Sequence, residues 1–115
     1  MRITRMLINA KAVAVVEDEM PMITDPMVAM EIAMRTRFEL GVERLAVEAS
    51  ALTPEFFDPE GKAADGILEQ FAQYGVKCAV FGPVALYGEE TVQALEKKVF
   101  LAEEKDAAML WLAEN

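Results

Sequence analysis

The side chains able to do chemistry in this 115-residue chain are carboxylates, two tyrosines and one thiol, because the sequence contains no histidine. Histidine is the side chain best suited to proton transfer near neutral pH and the commonest transition-metal ligand. Without it, Ser–His and Cys–His nucleophile pairs are excluded. Cys78 is the single cysteine, so neither an intramolecular disulfide nor a cysteine-based zinc site can be built. No carboxylate series has the spacing of a calcium loop, and neither a phosphate-binding P-loop nor a dinucleotide glycine fingerprint is present. The sequence implies no cofactor and no metal. Twenty Asp and Glu residues keep a two-carboxylate mechanism formally open, with Asp58 and Tyr87 to carry it. Glu17-Asp18-Glu19 and Glu103-Glu104 flank regular elements and read as solvated surface charge.

The remaining candidates suggest a surface rather than a reaction centre. They are the segment Phe56-Phe57-Asp58-Pro59-Glu60-Gly61 together with Glu48, Ser50 and Tyr87. Asp58 before Pro59 is predicted to be a helix N-cap, and Gly61 to allow close backbone approach. One of Phe56 and Phe57 is expected to enter the core beneath the following helix. The other is expected beside Glu48, Ser50 and Asp58, as an aromatic anchor with a polar rim. Ligands and partners meet parallel sheets at the carboxyl ends of the strands, where this turn is expected to lie. Three readings follow: a purely structural turn, a docking surface for a protein partner, or a small-molecule pocket formed by Glu48, Ser50, Asp58 and Tyr87.

Charge narrows the partners. The net charge is −9, and the 11 basic residues are scattered, with no stripe to neutralise a run of phosphates. Nucleic acid is not an expected partner, and the same field repels anionic membranes. Lys11 and Glu17-Asp18-Glu19 interrupt the apolar N-terminal stretch, so no cleavable signal is expected. The longest uncharged run, Cys78 to Gly88, is about half of the roughly 20 residues a spanning helix requires. A soluble, cytoplasmic protein is the expectation.

The positioning elements follow from local pattern. A hydrophobic fraction of 54% and a charged fraction of 27% suit one globular domain over residues 1–115. Arg2 to Ile8 and Lys11 to Glu17 read as strands of a hairpin around Asn9-Ala10, where Ala10 fits a type I′ turn poorly and implies strain or another turn. Thr24-Asp25-Pro26 starts a helix expected to reach Leu40 before Gly41. Its stripe Met27, Met30, Met34 and Phe38 is assigned to the core in preference to a plastic partner-binding face. Arg44 to Ala49 reads as a buried strand, Lys62 to Tyr74 as a helix ended by Gly75, and Val76 to Phe81 as a strand containing a buried, reduced Cys78. Glu89 to Lys98 reads as a helix. Val99 to Ala102 is assigned as a last strand in preference to a continued helix, and Glu103 to Glu114 as the final helix. The order β-β-α-β-α-β-α-β-α implies an α/β fold in which an N-terminal β-hairpin precedes alternating helices and strands on a mixed sheet. The methionine-rich first helix and Met109-Leu110-Trp111-Leu112 carry more apolar surface than a small domain always buries, which leaves a homodimer open.

Glu48, Thr53-Pro54-Glu55-Phe56-Phe57-Asp58, Gly61 and Ile67-Leu68-Glu69-Gln70-Phe71, with the strand after them, resemble an uncharacterised bacterial family, domain of unknown function 4180. The resemblance covers nearly all the chain and implies no activity, since the family has none assigned. Departures are Asn9-Ala10 in place of Asn-Gly and a shorter stretch from Thr91 to Val99. By fold-level analogy the element order is similar to STAS domains, the fold of anti-sigma factor antagonists. That STAS-like resemblance implies a regulatory or scaffolding role without catalysis, exercised by docking a partner through the Phe56–Gly61 turn and the next helix. In STAS domains a serine after the turn aspartate is a phosphorylation switch. Pro59 stands there in this sequence, so the hydroxyl is missing.

Overall fold

The computed structural model describes residues 2–115. The hairpin forms as expected: β1 (Arg2–Ile8) pairs antiparallel with β2 (Lys11–Glu17) in a register running from Arg2 opposite Glu17 to Ile8 opposite Lys11. The turn residues Asn9 and Ala10 have φ of 51° and 63°, the two positive values that define a type I′ turn. The predicted strain is therefore located at Ala10, whose Cβ crowds the backbone in this region.

β3 (Arg44–Glu48), β4 (Lys77–Phe81) and β5 (Phe100–Ala102) add to β2 in sequence order, each parallel to the last. The five-stranded sheet therefore reads β1-β2-β3-β4-β5. Crossovers of one hand that always step in one direction return every connecting helix to the same face. Accordingly α1 (Pro26–Met34), α2 (Ala63–Gln73) and α3 (Glu89–Glu96) bury Ile32, Ile67, Phe71 and Leu95 in one core with Ala14, Val16, Leu45, Val47 and Val80. The second face is covered by α4 (Lys105–Glu114), whose Ala108, Met109 and Leu112 pack on Val13, Val15, Ala46, Ala79 and Phe81. β2 is buried on both faces, which explains its unbroken run Val13-Ala14-Val15-Val16.

Two assignments change. The apolar end of α4 is largely spent inside, with Met109 and Leu112 buried and Trp111 stacked on Phe100 at 4.6 Å. Its last carbonyls are held by cations, Arg44 Nε donating to the Leu112 oxygen at 3.0 Å and Lys77 Nζ to the Asn115 oxygen, where the helix dipole favours positive charge. The methionine stripe, assigned to the core, lies mostly outside: Met27 is 67% and Phe38 69% exposed, Met34 is exposed too, and only Met30 is half-buried. The face that enters the core is the smaller set Ala29, Ile32, Ala33 and Thr36. Small side chains let α1 approach the sheet and α2 closely, and Gly66 of α2 lies where an added Cβ would come within 3.0 Å of Pro26. The helix reaches Glu39, close to the predicted Leu40, its last turn Arg35–Glu39 being a π-helical turn. Asp25 caps α1 as expected, accepting from the Val28 N–H at 2.9 Å.

Candidate functional site

Because β2 to β5 are parallel, the segments that follow them emerge at one end of the sheet. Two of these loops are laced together. The Met22 and Ile23 N–H groups both donate to the Ala51 oxygen at 2.9 Å, and the Thr53 N–H donates back to Ile23 at 3.0 Å. Glu48 accepts from the Asp18 N–H at 3.1 Å, and the Ser50 hydroxyl donates to the Asp18 carbonyl at 2.6 Å. Glu48 and Ser50, predicted to face a ligand, thus fasten the loop after β2 to the loop after β3. The Asp18 carboxylate is held below its ordinary value of 3.8, first by the N–H of Met20, which donates to it at 2.9 Å.

The Phe56–Gly61 segment follows on the same end. Pro54–Phe57 is a 3₁₀ turn, in which successive side chains diverge by about 120°. Phe56 and Phe57 nevertheless enter the same core, and both are buried. The expectation of one solvent-facing phenylalanine is corrected: the two rings meet edge to face within one core, and neither reaches solvent. Their ring centroids are 5.2 Å apart. Buried Thr91 on α3 donates its hydroxyl to the Phe57 carbonyl at 3.0 Å, satisfying a polar group that burial would otherwise penalise. Thr53 shares a hydrogen bond with Glu55, and this bond holds the Glu55 carboxyl below its ordinary value of 4.5.

Asp58 does not cap α2, whose first residue follows Lys62 without a side-chain cap. Its carboxylate turns back on its own loop, accepting from the Glu60 N–H at 3.0 Å, while the Gly61 N–H donates to the Asp58 carbonyl at 3.1 Å. Proline at the next position restricts Asp58 to extended backbone, which favours a local turn over a helix start. Gly61 lies close to the Asp58 side chain, 3.2 Å from where a Cβ would stand.

Tyr87, the last residue of the 3₁₀ turn Val84–Tyr87, joins the site by stacking on Phe57, with centroids 3.8 Å apart and planes 10° from parallel. It remains 38% exposed, and its neighbour Leu86 is 82% exposed. Leu86 was missed in the sequence, where Val84-Ala85-Leu86-Tyr87 reads as one apolar run; its position after Gly82-Pro83 was the available signal. Met20 and Met22 are further exposed apolar residues on the loop after β2. Exposed acidic residues are frequent in the same segments: Glu55, Asp58 and Glu60 in the loop after β3, Glu89 and Glu90 at the start of α3, and Glu103, which accepts from the Ala85 N–H at 3.3 Å. Among the described residues no group of three or more Cys, Asp or Glu side chains is arranged to hold a metal ion. No helix among them is long and apolar enough to cross a membrane.

A cleft of about 380 Å³ lies at the opposite end of β4, lined by Leu68, Phe71, Cys78, Lys98, Val99 and Trp111 among others. Its Lys98 is paired with Asp65 at 2.7 Å. Cys78, expected to be buried, is half-buried there, and desolvation pushes its thiol up to about 12.

These features define a mixed α/β fold of successive strand and helix units, with an apolar, acid-rimmed surface at the carboxyl ends of its strands. The chain belongs to the family described as domain of unknown function (DUF4180), whose model matches residues 8–115. Searches of curated proteins and of solved structures return no match.

Proposed function

We propose that the chain is a non-enzymatic regulatory or scaffolding domain that docks a basic protein segment on the loop end of its sheet. The observation that carries this reading is the stack of half-exposed Tyr87 on the buried Phe57 ring, with Leu86 beside it exposed to solvent. Binding surfaces draw most of their energy from a few large apolar or aromatic groups that are already held in place. The acidic rim of Glu55, Asp58, Glu60, Glu89 and Glu90 adds a field that attracts positive charge and sets orientation. The Phe56–Gly61 turn keeps its part as the support under the anchor, with α2 packed beside it and Thr91 of α3 fastening it through the Phe57 carbonyl.

Selection from a displayed peptide library tests the reading. Recovered sequences are expected to combine Lys or Arg with an apolar residue, and their binding to weaken with salt. Leu86→Ser with Tyr87→Ala should abolish capture, whereas Leu110→Ser on α4 should leave it intact. Recovery of sequences that bind the double variant equally well would refute the surface.

A further inference from the structure

The outer face of α1 supports a second, independent contact. α1 is apolar nearly all round, Glu31 being its one charged residue in nine, and helices of that kind are normally covered on every side. Here the inner side is covered and the outer is not: Met27, Met34 and Phe38 line a solvent face. Glu31, Met34, Arg35, Phe38 and Glu39 border a shallow groove of about 410 Å³ on it. Phe38 is steadied from the side by Tyr74, edge to face at 6.3 Å.

We infer that this face is the contact between two copies of the chain, packed antiparallel through α1 and the π turn about a twofold axis near Ala33. Charge selects the occupant. Although the chain carries −9 overall, the span 26–39 holds two acids, Glu31 and Glu39, against two bases, Arg35 and Arg37, so two copies meet here without the repulsion they feel elsewhere. Glu31 and Arg35 are both exposed and lie four residues apart on one flank; Arg35 Nε is held by Glu39 at 3.2 Å, which leaves its terminal guanidinium nitrogens to meet a partner's carboxylate. Reversing the helix about a point midway between them sets each Glu31 opposite the partner's Arg35, twice over. The same operation brings Phe38 within about one residue of the partner's Met27. A purely basic segment would meet Arg35 and Arg37, and a purely acidic one Glu31 and Glu39, whereas an inverted copy of the face satisfies both signs. The stripe from Met27 to Phe38 is only about 16 Å long at the α-helical rise, well short of a large permanent interface. The dimer therefore dissociates on dilution.

Sedimentation of the full chain across a wide concentration series is the test. The wild type should move from the 12.7 kDa chain mass to twice that mass as concentration rises. Met34→Glu with Phe38→Glu should remain monomeric, with circular dichroism confirming the fold, because both positions are exposed. Arg35→Glu should weaken dimerisation at least about tenfold, a difference of about 1.4 kcal/mol, and adding Glu31→Arg should restore it. A wild type that stays monomeric throughout overturns the inference. So does a dimer that survives the double glutamate variant, or a charge reversal that the compensating change fails to rescue.

Discussion

Tyr87 stacks on Phe57 with ring centroids 3.8 Å apart and planes 10° from parallel, so an exposed ring rests on a buried one. The pair joins the loop after β4 to the loop after β3 at the end of the sheet where the proposed partner docks. Their unequal burial separates their roles. Tyr87→Ala should lower stability by about 1 kcal/mol, the scale of an aromatic pair, whereas Phe57→Ala should cost about 3–5 kcal/mol through the cavity it leaves. Urea unfolding of both variants measures the difference.

The hairpin turn should be improvable. Ala10 sits at φ 63°, where a Cβ costs about 1–2 kcal/mol, and glycine avoids that cost while adding chain entropy to the unfolded state. Ala10→Gly should therefore raise stability by about 0.5–1 kcal/mol, read as a higher midpoint in denaturant at unchanged slope.

Loop lacing makes Glu48 and Ser50 structural fasteners. Ser50→Ala and Glu48→Gln should each lower global stability by only about 1 kcal/mol. Hydrogen exchange should accelerate selectively at the amides of Asp18, Met22 and Ile23, since the last two share the Ala51 carbonyl. Uniform acceleration across the sheet would contradict a local role.

Acid should loosen the same region. The carboxyls of Asp18 and Glu55 are both held below their ordinary values of 3.8 and 4.5, by the Met20 N–H and by Thr53. A depressed pKa gives stability that is fully present above the ordinary value and is lost as pH falls through the lower value in the folded chain. Between about pH 5 and pH 3 the wild type should thus lose more stability than Glu55→Gln, in which that proton site is absent. Parallel urea titrations at each pH compare the slopes.

Cys78 should resist alkylation in the native state. Its thiol is pushed up to about 12 by burial, so the thiolate that reacts is scarce at about pH 8. Iodoacetamide labelling followed by mass should be slow without denaturant and rise with the unfolded fraction.

Local chemistry was sufficient for the elements themselves. Asp25 before Pro26 starts a helix because a carboxylate can cap N–H groups beside a residue that has none to cap. Val13 to Val16 and Cys78 to Phe81 form strands because apolar, largely β-branched or aromatic runs suit a sheet. The hairpin followed by alternating helices and strands, with Phe100–Ala102 as the last strand, was legible for these reasons. So was the placement of the Phe56–Gly61 turn after β3.

Which face of each element meets which neighbour was decided only in three dimensions. Met27, Met34 and Phe38 share a periodicity with Ala29, Ile32 and Ala33, and nothing local distinguishes the stripe that will be covered. The close approach of α1 to α2 at Gly66 and Pro26 favours the smaller side chains inside, and the larger ones are left outside. Phe56 and Phe57 are both buried because they pack against each other in one core, and Tyr87 from a loop 30 residues away in sequence stacks over Phe57. Glu48 and Ser50 look like ligand contacts from their strand-end position, yet they bind the Asp18 backbone 30 and 32 residues away. A carboxylate or hydroxyl carries no mark of its partner, and long-range packing alone determines whether a backbone group reaches it first.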